Sequence, residues 1–454
     1  MSEVAALLRH GMTLRGEERM AEADAAFTRA HALAPNDPMA VRCLAQIRFE
    51  RGLAAADLFD AAEALTPGDP DLLRNNALAV AAEGDPERGE AVLADAVAAS
   101  PDWLDGHRVL ATLRWTHRLG QPFASYAAAV EAMPGNAALW LAWFGAVAQQ
   151  RDWPAARAIL SRARAAIGET RGVLLAEAFV AVESDVDRGA ARALLAATAG
   201  VDDPGLSICR IRFALRERAW GKARDLAVAM LGGPAATLAW PYLSLAWRLL
   251  DDPAAEWLEG DARLVGEYPV ALSDAEMREL AATLRTLHTA AAPYGEQSVR
   301  GGTQTDRSVL LRHEPILETT RAALMKAVEA HVAQLPPPDP RHPLLGPPRS
   351  PLRLGGSWSV RLAGGGRNVP HTHPMGWLSS AFYVSLPGDD AGALALGTPP
   401  PELGLDLSPR RIVPPRAGRL VLFPSTLWHS TLPFPSGERL NIAFDVVTAA
   451  RRGA

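Results

Sequence analysis

The sequence predicts a multidomain α-plus-β protein: an N-terminal α-helical solenoid built of repeats, then a C-terminal jelly-roll or barrel with flanking helices. Three observations predict it. Prolines recur at Pro35, Pro67, Pro101 and Pro134, at separations of 32, 34 and 33 residues, and three of the four follow an alanine-rich amphipathic run. The run LPPPDPRHPLLGPPRSP, residues 335–351, cannot form regular structure. Beyond it the hydrophobic period falls to two. A chain of 454 residues also exceeds one ordinary core, so two or three domains are expected.

The repeats come first. EADAAFTRAHALAPNDP (22–38) parallels LAAADLFDAAEALTPGDP (53–70). Five residues before each proline stands a small residue, Ala30, Ala62, Ala96 or Ala129; eight before it stands a larger one, Phe27, Phe59, Leu93 or Tyr126. A further copy at 140–168 keeps Ala156, Leu160 and Ala163 but ends in Gly168, and WGKARDLAVAML (220–231) echoes it more weakly. Small residues let two helices approach, the large one fills the groove, and proline ends the second helix. The pattern resembles the tetratricopeptide repeat, which implies paired antiparallel helices and a face that binds a protein or peptide partner. Within this part His10, His31, His107 and His117 read as surface or packing residues. Trp140, Trp143 and Trp153 read as core.

Downstream, SDAEMRELAATLRTLHTAA (273–291) reads as a helix with Ser273 as N-cap and Glu276 completing a capping box. RAALMKAVEAHVAQL (321–335) reads as another. After the proline-rich run, 357–362, 378–386, 418–423 and 439–447 read as strands separated by Gly/Pro turns. The expected division is therefore 1–168 repeats, 169–270 degenerate repeats, 271–352 a helical and proline-rich lead-in, and 353–450 the β core.

The chemistry concentrates in the last part. NVPHTHPMGWLSS (368–380) sets His371 and His373 one residue apart between two prolines. His429 follows at the end of a strand, and Arg439 opens the next. On that strand Leu440, Ile442, Phe444 and Val446 form one face, leaving Arg439, Asn441, Ala443 and Asp445 on the other. This constellation resembles the iron(II)/2-oxoglutarate-dependent oxygenases of the prolyl-hydroxylase type. LHTAAAPYGEQSVRGGTQT (287–305) is similar to the segment before the barrel in a bacterial family of such enzymes, in which tetratricopeptide repeats often precede the oxygenase unit. The resemblance implies a double-stranded β-helix. It implies Fe(2+) held by His371 and His429, 2-oxoglutarate gripped by Arg439 with Tyr383 beside it, and hydroxylation coupled to decarboxylation to succinate. Imidazole suits Fe(II), and the guanidinium fork suits a carboxylate.

The pattern departs from that family at His373, which stands where an aspartate is usual. His373 joins the metal as a third ligand, or it stands aside as in the aspartyl/asparaginyl β-hydroxylases, or the three histidines take another metal such as zinc. The competing functional class is a non-catalytic repeat scaffold with a degenerate metal-binding barrel. Gln297, Arg300 and Gln304 either line the site's mouth or cap turns; His288, His313, His331 and His342 receive no role.

Composition excludes little else. Net charge is −5, and the arginines of the C-terminal part are scattered, which gives nucleic-acid binding no support. No apolar stretch is long enough to span a membrane. The N-terminus, with Glu3, Arg9 and His10 around its apolar run, is unlike a secretory signal, and Cys43 and Cys209 form no disulfide or zinc pattern. A cytoplasmic location is expected.

Overall fold

The computed structural model describes residues 2–184, 186–295, 297–388 and 391–448. It divides into two compact units. One comprises Met1–Gln150 with Thr289–Gly295 and Asp306–Thr319; the other comprises Arg151–His288, Glu296–Thr305 and Thr320–Ala454.

The first unit is a helical solenoid. Its helices run Glu3–Gly16, Met20–Leu33, Pro38–Glu50, Ala56–Leu65, Pro70–Ala82, Pro86–Ala99, Leu104–His117, Ala124–Ala132 and Ala137–Gln149. The periodic prolines act one step removed. The helices end at Leu33, Leu65, Ala99 and Ala132, and the residue before each proline (Ala34, Thr66, Ser100, Met133) has ψ between 62° and 75°. Proline disfavours the helical region in the residue it follows, so the helix stops there. Asp37 and Asp69 then cap the next helices, whose first residues are Pro38 and Pro70.

The repeat positions pack as their sizes require. Phe27, Phe59, Leu93 and Tyr126 are all buried, as are Ala30, Ala62 and Ala129. Ala96 is only half-buried, and Val97 takes the inward place. Gly11 has no freedom to grow: a Cβ there would lie 2.5 Å from the Phe27 ring. His107 stacks on Tyr126 at 5.0 Å and bonds the Pro101 carbonyl through Nε2, so it is a packing residue. The unit also takes in two segments from far downstream. Trp115 Nε1 donates to the Pro293 carbonyl at 2.8 Å, and Arg307 lies over the Phe49 ring and donates to the Phe49 carbonyl.

The second unit joins helices to a β-barrel. Its helices Trp153–Ile167, Arg171–Ser184, Arg188–Ala197, Pro204–Arg216, Trp220–Met230, Ala236–Leu249 and Ala254–Glu259 continue the repeat-like pattern, with Ala156, Leu160, Ala163, Ala223 and Ala227 buried. Helix Asp274–Thr286 has the expected Ser273–Glu276 capping box, and helix Pro315–Gln334 begins earlier than its sequence signal. The strands are β1 (Gly266–Pro269), β2 (Val299–Gln304), β3 (Leu352–Asn368), β4 (Leu378–Ser385), β5 (Leu394–Leu396), β6 (Arg411–Val413), β7 (Arg419–Pro424), β8 (His429–Thr431) and β9 (Arg439–Thr448).

They form a six-stranded sheet, β1-β7-β4-β9-β3-β2, facing a three-stranded one, β6-β5-β8, with every pairing antiparallel. This is the double-stranded β-helix. The Gly-Gly of the GGTQT stretch has a steric cause in β2. Gly301 sits at a register shift with φ +70°, and a Cβ on Gly302 would lie 2.3 Å from the Arg361 carbonyl oxygen. No helix among the described residues is long and apolar enough to cross a membrane.

Candidate metal centre

Three histidines from two distant segments meet inside the barrel. The backbones of His371 and His429 form an isolated antiparallel bridge, His371 N–H donating to the His429 carbonyl at 3.1 Å and His429 N–H to that of His371 at 3.0 Å. His373 N–H donates to the Ser425 carbonyl at 2.9 Å, which fixes the turn. The imidazole centroids of His371 and His429 are 4.1 Å apart, and His373 lies 5.0 Å from each. One ring nitrogen from each of the three falls within 4.8 Å of the others.

The hydrogen bonds set the tautomers. His371 Nδ1 bonds the Val369 carbonyl at 2.8 Å, His429 Nδ1 bonds the Leu427 carbonyl at 3.0 Å, and His373 Nδ1 bonds both oxygens of Asp445 at 2.8 and 2.9 Å. Carbonyl and carboxylate oxygens only accept, so in each neutral ring the proton sits on Nδ1. All three Nε2 lone pairs are then available, as metal-ligating histidines require. His371 Nε2 meets the Ser298 hydroxyl at 3.3 Å, and Asn368 Nδ2 holds that hydroxyl at 2.9 Å. Burial pushes His371 down to about 3 and His429 well below its ordinary value, so both are neutral at physiological pH.

Arg439 lies in the same cavity, a space of about 40 Å³ that the three histidines also line together with Asn368, Asn441 and Ala443. The residue is 2 % exposed, and its guanidinium donates to the Gly392 carbonyl at 3.1 Å and to Asn441 Oδ1 at 2.6 Å. Among the described residues no carboxylate pairs with it. Tyr383, fully buried on β4, does not line the cavity; its ring lies 5.1 Å from the Arg439 guanidinium carbon.

The polar face read on the 439–447 strand therefore does point inward. The apolar face, Leu440 to Val446, has no solvent exposure. Gln297, Arg300 and Gln304 are not brought to the cavity: Arg300 braces its own turn through the Gln297 and Val299 carbonyls at 2.7 Å, and Gln304 pairs with Val360. His429 begins β8 rather than ending a strand. The sequence gives no sign of Asp445 as the partner of His373, nor of Ser298 and Asn368, because those contacts join residues about 70 apart.

The position of His429 is also set from outside the barrel. The adjacent Trp428 donates from Nε1 to the Pro241 carbonyl at 3.0 Å and packs edge-on against Tyr242, in a core shared with Leu243, Ala246 and Leu258.

Comparison with known proteins places residues 356–445 in the match of a family model described as "Putative 2OG-Fe(II) oxygenase". No protein of curated function matches the chain in sequence. Three solved structures are similar over part of it. An O-GlcNAc transferase from Thermobaculum terrenum is 25% identical over 32% of this chain, with a TM-score of 0.25, and the match spans 27% of that protein. A tetratricopeptide repeat protein from Parabacteroides merdae is 12% identical over 54% of this chain and 99% of its own length, with a TM-score of 0.34. A prolyl-4-hydroxylase from Pseudomonas putida is 19% identical over 45% of this chain and 97% of its own length, with a TM-score of 0.29.

Proposed function

We propose that the barrel, whose residues 356–445 match the oxygenase family model, is an iron(II)/2-oxoglutarate-dependent oxygenase acting as a hydroxylase, and that the N-terminal repeats recruit a protein or peptide partner or substrate. The observation that carries this is the pairing, in one cavity, of three Nε2 lone pairs with a buried cation that has no carboxylate partner among the described residues. Imidazole donors fit Fe(II). A desolvated guanidinium without a carboxylate is costly, and a dicarboxylate co-substrate would supply the missing partner.

His371, His373 and His429 would hold the metal, and Arg439, stiffened by Asn441 and by the Tyr383 ring beneath it, would receive the far carboxylate of 2-oxoglutarate. When bound, the metal supplies the oxygen chemistry: one atom of O₂ enters the substrate C–H bond and the other enters succinate as CO₂ leaves. The protein's own part is to keep His371 and His429 neutral, aim the three Nε2 atoms and keep bulk water from the site. A decayed scaffold barrel would have no need for an arginine buried beside the three histidines.

The test is succinate release from 2-oxoglutarate by anaerobically iron-loaded protein, alongside iron content. The expected result is turnover in the parent and loss of both iron and turnover in His429→Ala. Iron content unaffected in both His371→Ala and His429→Ala would sink the proposal.

A further inference from the structure

The three histidines are not held alike. Those of His371 and His429 lean on neutral backbone carbonyls, whereas His373 leans on a carboxylate, through two contacts of 2.8 and 2.9 Å to Asp445. Asp445 is itself fixed. The Ser379 hydroxyl donates to its Oδ1 at 2.6 Å and accepts from Ser425 Oγ at 2.9 Å. Gly376 leaves the room this needs, since a Cβ there would lie 2.5 Å from Ser425 Oγ and 3.1 Å from Asp445 Cγ. The Asp445 side chain is only 14% exposed, and among the described residues its one ionisable ion-pair partner is His373.

A largely buried carboxylate whose only such partner is a histidine is an unbalanced charge. On the same face of β9, six residues away and thus roughly 20 Å along the strand, Arg439 is the opposite case, a buried cation with no carboxylate partner among the described residues. The strand thus carries a negative charge at the histidine end and a positive one at the other.

Resting on the metal reading above, we propose that Asp445 is the positioning residue of this centre. It locks the His373 ring with Nε2 toward the cavity and supplies, one hydrogen bond beyond the ligands, the negative charge that three neutral imidazoles lack. A carboxylate on the far nitrogen raises the basicity of the ligating one, and removing such a partner typically costs 10–100-fold in metal affinity. Asp445 acts only through His373.

The experiment titrates Co(II) into metal-free full-length protein, following the visible spectrum and the dissociation constant. The variants are Asp445→Asn, His373→Ala and the double substitution, with the melting temperature of each metal-free protein as a control. Asparagine keeps the size and the accepting oxygen but not the charge. Asp445→Asn is expected to weaken Co(II) binding about 10–100-fold and to shift the spectrum, with little change in the metal-free melt. In the His373→Ala background the same change should cost nothing further.

Tight binding by the parent with unchanged affinity in Asp445→Asn would overturn the inference and leave the metal reading standing. So would a loss that persists in the His373→Ala background, or a fall in the metal-free melt without a loss of affinity. A parent that binds no Co(II) would overturn both. Should Asp445→Asn fail to fold, Ser379→Ala, which frees the carboxylate from its hydroxyl, must show a smaller loss in the same direction; unchanged binding there overturns the inference.

Discussion

His331 is 1% exposed, and burial pushes its imidazole down to about 4, although Tyr268 Oη lies 3.0 Å from its Nδ1. In the unfolded chain the same group titrates near 6.5. Between those values the unfolded state binds the extra proton, so stability falls as the pH drops below 6.5, and the loss is complete below about 4. One such histidine accounts for roughly 3 kcal/mol. His331→Gln, which cannot titrate, should therefore lose less stability than the parent between pH 6.5 and pH 4, read from urea midpoints at each pH. Parallel curves would mean that the imidazole is not desolvated as described. The same physics, burial favouring the neutral ring, keeps His371 and His429 ready to donate lone pairs. Histidine in this chain is thus used mostly as an uncharged group.

At the scale of elements, β8 decides whether the centre forms. It is three residues long and holds His429 between two supports, the backbone bridge to His371 and the register Leu396↔His429 with β5. The neighbouring Trp428 ties that short strand to helix Ala236–Leu249 through the Pro241 carbonyl. Trp428→Phe removes the indole donor and leaves a buried carbonyl unsatisfied, a cost of about 1–3 kcal/mol. The expected outcome is a lower melting temperature together with a several-fold weaker iron affinity. Full retention of affinity in a destabilised variant would show that the His371 bridge alone fixes His429. The helices from 204 to 259 contribute most of the core in which Trp428 sits, so they belong to the machinery that shapes the site.

At the scale of the molecule, the candidate centre lies in one of the two compact units, the one that contains 353–448. A ligand stabilises only the state it binds, by about 2.7 kcal/mol at a hundred times its dissociation constant. Iron with 2-oxoglutarate should therefore raise hydrogen-exchange protection chiefly in 353–448 and leave the helices of 3–149 little changed. Neither component alone should match the pair. In Arg439→Ala the 2-oxoglutarate increment should vanish, since stripping a buried ionic partner costs about 2–5 kcal/mol. An increment that survives in the variant would mean that another group holds the carboxylate.

The sequence by itself determined the local rules. Proline spacing and the Ala and Phe positions set the solenoid, because proline disfavours the helical region in the residue before it and small residues let helices close. Period-two patterning set β3, β4, β7 and β9 and told which face of β9 carries Arg439 and Asn441. The His-x-His turn, His429 and Arg439 were legible because their residue types and spacing are unusual. The three-residue strands β5, β6 and β8 were not, since so short a segment has no period of its own. Only the tertiary structure decided what joins across distance: that 289–295 and 306–319 return to the first unit, that Trp428 reaches Pro241, and that Asp445 stands behind His373. Those contacts depend on how β9 crosses the turn and how helices meet strands, and no local pattern encodes a pairing between residues so far apart.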